Sequence, residues 1–222
     1  MFKATVPDMN RPLPLATASI AGVLYLAATL LAMHAIQPGL NPATHFLSEY
    51  AHGQFGWLVM VGYVVAGTGV LALAWRAFSA LSGRWALASA ACLAIVGIGV
   101  IATGLTRLDV ANADGLVVST ASGQAHVLAG YVELLGMLPG GFVLSAAFRR
   151  DPRLADAASA ARLFAWALLG AFVVILVLQG LALPGLGQRI FVVTFWSWLI
   201  FIGLHLRFGE PITTGHVATA QP

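Results

Sequence analysis

Two histidines, a glutamate and a serine fall within eight positions of one stretch, NPATHFLSEYAHGQFGW at residues 41–57. If that stretch is a short helix with Asn41 as N-cap, Pro42 at its first position and Gly53 at its end, His45, Glu49 and His52 share a face at i, i+4 and i+7. Two imidazoles and a carboxylate make a zinc-type ligand set with a position open for water. Ser48 lies at the edge of that face. The plainer reading of the same residues is an interfacial amphipathic helix, with its polar side at the headgroups and Phe46, Leu47 and Tyr50 in lipid.

Further groups of this kind recur along the chain. The segment GLTRLDVANADG, 104–115, carries Arg107 and Asp109 and reads as a turn at Asp114–Gly115. SGQAHVLAGYVELLG, 122–136, sets His126 and Glu133 seven residues apart on one helical face, about 10 Å along the axis. A carboxylate near the middle of a bilayer costs at least about 2.5 kcal/mol, so Glu133 is expected to face the protein interior with a partner or a proton. GLALPGLGQRIF, 180–191, adds Gln188 and Arg189 in a turn. Arg189 then either meets an anion or snorkels to lipid phosphate.

The elements that must position these groups are membrane spans. Of 222 residues, 59% are hydrophobic and 9% charged, against roughly 25% charged in a soluble domain. Six stretches, near 15–37, 55–78, 86–105, 124–148, 162–183 and 190–207, reach the about 20 residues that cross a hydrocarbon core. They are too long and too rich in Ala, Leu and Gly for barrel strands. The fold class is therefore all-α, a six-helix polytopic membrane domain over 15–208. Residues 1–14 form a cytoplasmic N-terminal segment and 209–222 a flexible cytoplasmic tail. Pro139 is expected to kink the fourth span, and small residues such as Gly67, Gly97, Gly99 and Gly136 to let helices approach closely.

Of the eleven Lys and Arg residues, only Arg107 and Arg189 flank the first, third and fifth connections. The positive-inside rule then places both termini in the cytoplasm and loops 38–54, 106–123 and 184–189 outside. A bacterial inner membrane is the expected location. The net charge of +3 belongs to helix ends facing anionic lipid, so nucleic acid is not an expected partner. Cys92 stands alone, which gives neither a disulfide framework nor a thiolate metal site.

S-E-Y followed by G-x-x-G-W after span one, L-D with a downstream G-x-x-H opening span four, and G-L-G-Q-R-I before span six together resemble the bacterial and archaeal membrane family DUF998. The likeness runs from about 15 to 208. It implies a six-helix membrane protein without an assigned role and points to Ser48, Glu49, Asp109, His126, Gln188 and Arg189; His45 and His52 fall outside the pattern. Known six-helix enzymes fit poorly. Lipid-phosphate phosphatases need a lysine-to-Arg-Pro motif, whereas the sole lysine here is Lys3, and rhomboid-like proteases need a Gly-x-Ser that does not occur.

The sharpest functional expectation is an outward-facing polar pocket in which His45, Glu49, His52, Asp109 and His126 supply two to four ligands to Zn2+ or another divalent metal. Its bound water would attack a lipid or lipid-linked substrate. Glu133 would serve as general base or proton relay, Ser48 as a second catalytic group, and Arg107, Gln188 and Arg189 as substrate or anion contacts. Two other classes stay open. One is proton- or ion-coupled transport or small-ligand binding through His126 and Glu133, hinged by Pro139 and its glycines. The other is a non-catalytic subunit of a membrane complex.

Overall fold

Long apolar runs without strand signals produce six helices in chain order: α1 Pro14–Ile36, α2 Gly56–Ala80, α3 Gly83–Leu105, α4 Ala121–Arg150, α5 Ala158–Gly180 and α6 Pro184–Arg207. The computed structural model describes residues 14–111 and 114–207. The N-terminal segment and the tail expected to be cytoplasmic therefore lie outside the described residues, apart from Pro14. All six helices are long and apolar enough to cross a membrane. Among the described residues the only β-type pairing is an isolated bridge between Ala111 and Val117. It closes the α3–α4 connection around Gly115, whose φ of 78° suits a glycine in the expected turn.

Each helix packs on its neighbours in sequence, and α1 packs on α6, so the six form a closed ring. Lipid supplies no hydrophobic drive between helices; close backbone approach at small residues replaces it. At the α2–α3 seam Gly67 and Gly97 face each other, and a Cβ on Gly67 would lie 2.8 Å from the Gly97 carbonyl oxygen. At the α3–α4 seam a Cβ on Gly136 would lie 2.6 Å from the Cys92 carbonyl oxygen. The packing role expected of these glycines is the one they have. α4 runs without interruption through Pro139.

Two expectations about the loops are corrected. The α1–α2 connection is not a helix over 41–53. Asn41 O accepts from His45 N at 2.9 Å, closing a single turn, and Phe46 is extended at φ −68°, ψ 152°. A 3-10 turn, Leu47–Ala51, follows. The single face shared by His45, Glu49 and His52 is lost with the helix. The amphipathic alternative fails too, because Leu47 and Tyr50 are buried inside the protein, not presented to lipid. Secondly, 184–189 is not a loop. Pro184 occupies a first-turn position that suits proline, and Gly185 and Gly187 are helical residues thinned for contact. A Cβ on Gly185 would collide with the backbone of Pro42 and His45, and one on Gly187 would come within 2.9 Å of Ile175 Cα.

The connections α1–α2, α3–α4 and α5–α6 share one end of the ring, called here the odd end. Toward the other, even end the interior is filled by Leu73, Leu144, Phe148, Ile202 and Leu206, all buried. The odd half is not filled.

Candidate functional site

A cavity of about 340 Å³ occupies the odd half of the ring, within the range of small-molecule sites. Its walls are largely apolar, with Val70, Met137 and Leu199 toward the middle of the bundle. Ser48, Tyr63, Thr103, His126, Glu133, Gln179 and Gln188 are among the side chains with polar groups that line it, together with Tyr131 and Trp196. Glu133 stands twelve residues into α4, about 18 Å from the helix start and so near mid-bilayer depth. Thr103 of α3 donates its hydroxyl to Glu133 Oε1 at 2.6 Å. The approach of α3 to α4 depends on Gly99, where a Cβ would lie 2.6 Å from Glu133 Cγ and 2.9 Å from its backbone nitrogen. One turn before Glu133, Gly130 lines the cavity, and a Cβ there would meet nothing within 4 Å. The space between His126 and Glu133 is therefore open because α4 has no side chain at that point.

The opening faces sideways. Val127, Tyr131 and Leu176 line the cavity and are also 46%, 60% and 54% exposed, and they lie on α4 and α5. The two helices pack where Gly141 meets Ala165, toward the even end, and the mouth lies between their odd halves. In helices long and apolar enough to cross a membrane, exposed valine, leucine and tyrosine side chains suit a lipid-facing surface.

Over the odd end lies the α1–α2 connection, contributing Phe46 and Ser48 to the cavity wall. Its polar residues are largely spent on fastening it. Arg189 of α6 donates through Nη1 to His45 O at 2.8 Å and Gly185 O at 3.0 Å, and through Nη2 and Nε to His34 Nε2 at 3.1 and 3.3 Å. His34 can accept there because its Nδ1–H donates to Leu30 O at 2.7 Å; its ring packs on Tyr50, with centroids 4.9 Å apart. Gln188 Oε1 accepts from Leu47 N at 2.5 Å. Gln37 Nε2 donates to Tyr50 O at 2.9 Å and Gln54 O at 3.0 Å. On the α3–α4 side His52 Nε2–H donates to Leu108 O at 2.6 Å.

The residues singled out from the sequence thus divide into three groups. Ser48, His126, Glu133 and Gln188 meet at the cavity. His52, Arg107 and Asp109 line a separate hollow of about 330 Å³ on the α3–α4 connection. Arg189 and His45 belong to the clamp, and Glu49 serves its own turn, where Oε1 accepts from Phe46 N at 2.8 Å. Asp109 fastens the start of α4: its Oδ2 accepts from Thr120 N at 2.9 Å and its Oδ1 from the Thr120 hydroxyl at 2.6 Å. Those bonds hold its carboxyl below the usual carboxylate range, the hydroxyl contributing most. The single hollow expected to gather Glu49, Asp109, His126 and Arg189 does not form. Among the described residues no three His, Cys, Asp or Glu side chains lie where they could hold a metal ion together.

The sequence reading passed over Tyr63, Thr103 and Gln179. Each is a polar residue in an apolar span, and Thr103 falls one turn after Gly99, the position that admits Glu133. Polarity inside a span was the available signal, applied to charged groups but not to hydroxyls and amides.

Residues 19–205 match the model of a family described as "Protein of unknown function (DUF998)". No curated protein and no solved structure matches the chain.

Proposed function

The chain belongs to the DUF998 family, and from that premise we propose that this multi-pass membrane protein binds one amphiphilic small molecule or lipid in the cavity of its odd half. The carrying observation is the cavity itself: about 340 Å³ of mostly apolar wall, a few converging polar groups at Glu133, and a mouth between α4 and α5 flanked by Val127, Tyr131 and Leu176. An apolar chain enters such a site from the bilayer without crossing water. The polar end of the ligand comes to rest where Thr103, Glu133 and His126 offer hydrogen bonds, and the clamped α1–α2 connection lies over the top.

Small-ligand binding accommodates these facts better than hydrolysis at a metal. The candidate ligands Glu49, His52 and Asp109 are each committed to a different backbone group, while the cavity residues are arranged to receive a guest. Gly130 provides the test, since a side chain added there has room and enters the cavity. Native mass spectrometry of the detergent-purified protein is expected to show one retained amphiphile. Gly130→Leu should fold at least as stably, because glycine inside a helix costs about 1 kcal/mol, and should lose at least about tenfold in occupancy, an effect of about 1.4 kcal/mol. An empty wild-type protein, or a leucine variant with undiminished occupancy, refutes the proposal.

A further inference from the structure

The charge distribution of the cavity narrows what the ligand can be, taking the cavity-binding reading above as given. Glu133 is the only carboxyl among the lining residues, and neither Lys nor Arg is among them. Among the described residues the odd end has two arginines, and neither lines this space. Arg189 is turned to His34, His45 O and Gly185 O, and Arg107 is exposed in the separate hollow of the α3–α4 connection. A phosphate headgroup would therefore find no permanent cation, only the His126 imidazole, and would confront a carboxyl. A group carrying several N–H donors and a positive charge would find the reverse.

We infer that the polar end of the ligand is a protonated amine, and that the site selects a lipophilic ammonium compound through Glu133. Thr103 takes Oε1, which leaves Oε2 as the carboxylate oxygen for the ligand. An ammonium group has three donors to satisfy. The Tyr63 side chain lines the same cavity, and its hydroxyl provides a second acceptor. The Thr103 hydroxyl, already donating, keeps lone pairs free to accept a third bond. Pairing also removes the cost of an isolated charge at this depth, for carboxylate and ammonium alike. The hydrocarbon part lies along Met137, Leu176 and Leu199.

The test compares dodecylamine, dodecanol and dodecyl phosphate, which share a chain and differ in head, on the full-length protein in nanodiscs of zwitterionic lipid near pH 7. Binding of dodecylamine is expected to be about tenfold tighter than that of dodecanol, as a charge-assisted bond exceeds a neutral one. Dodecyl phosphate is expected to be weakest. In Glu133→Gln the advantage of the amine over dodecanol should fall to within about twofold. Phosphate binding as tight as amine, or an amine preference intact in Glu133→Gln, overturns the inference. The wild-type order decides the matter by itself if the glutamine variant does not fold. Equal binding of all three heads, abolished by Gly130→Leu, leaves the cavity reading standing and removes the amine. No binding of any of them removes both.

Discussion

Glu133 and Asp109 are carboxyls used in opposite ways. Glu133 is held by one hydroxyl at the wall of a cavity, whereas both carboxylate oxygens of Asp109 are taken by Thr120. The Thr120 hydroxyl that donates to Asp109 also accepts from Gly123 N at 3.0 Å, capping α4. Asp109 thus sits at the start of that helix, where a negative charge is favoured by the exposed N–H groups. A Cβ on Gly123 would occupy the carboxylate's place, which explains a glycine in the first turn. Because the folded pKa of Asp109 is depressed, the stability it contributes is present above the usual carboxylate value of about 3.9 and is lost as pH falls through the lower folded value. Thr120→Ala should cost about 1 kcal/mol through the cap. It should also flatten the acid dependence of stability, since the larger cause of the depression goes with the hydroxyl. Denaturant titrations of the purified protein near pH 6 and pH 3 measure both; an unchanged acid slope in the alanine variant contradicts this account of Asp109.

At the scale of elements, the Arg189 clamp decides where the α1–α2 connection lies. Arg189→Gln removes the charge and most of the fork, and Arg189→Lys keeps the charge but cannot span His34, His45 O and Gly185 O together. Both are expected to lose about 1.5–3 kcal/mol, the value of a hydrogen-bonded charge. Both should also speed chymotrypsin cleavage at Phe46 and Phe55. A lysine variant as resistant as wild type would mean that charge alone, without the fork, holds the loop. The same element shows what was legible in the sequence. Span number and approximate position follow from length and apolarity, because the bilayer imposes both. The α1–α2 turn and the start of α6 were misread for one shared reason. Helical spacing in 41–53 and Gly-Pro content in 184–187 are local signals, while their conformations are fixed by a contact across about 140 residues of chain, between His45 and Gly185. The cavity was legible only through Glu133 and His126, whose intramembrane placement marks an interior polar space. Nothing in the spacing of His45, Glu49 and His52 revealed that each would turn to a different backbone partner.

For the whole molecule, the ring is polarised by charge. At the even end Arg76 donates to Leu206 O at 2.9 Å, Arg153 pairs with Asp151 at 2.6 Å, and Arg84 and Arg150 lie over the Trp85 ring. Most of these groups are tied to helix ends or to the even-end surface, and together they form a basic belt. Among the described residues the odd end offers only Arg107 and Arg189. By the positive-inside rule the belt is expected in the cytoplasm, an orientation that would put the cavity, its mouth and the clamped connection in the outer half of the bilayer. In a Cys92→Ala background, Gln54→Cys at the odd end should react with a membrane-impermeant maleimide on intact spheroplasts. Ser82→Cys at the even end should react only after lysis. Both positions are exposed, so failure to label reports sidedness and not burial. The reverse pattern would move the mouth to the inner leaflet. It would leave the proposed amphiphile site unchanged but draw its ligand from the other leaflet, so under that proposal the orientation of the six helices determines the source of the ligand for which Gly130 leaves room.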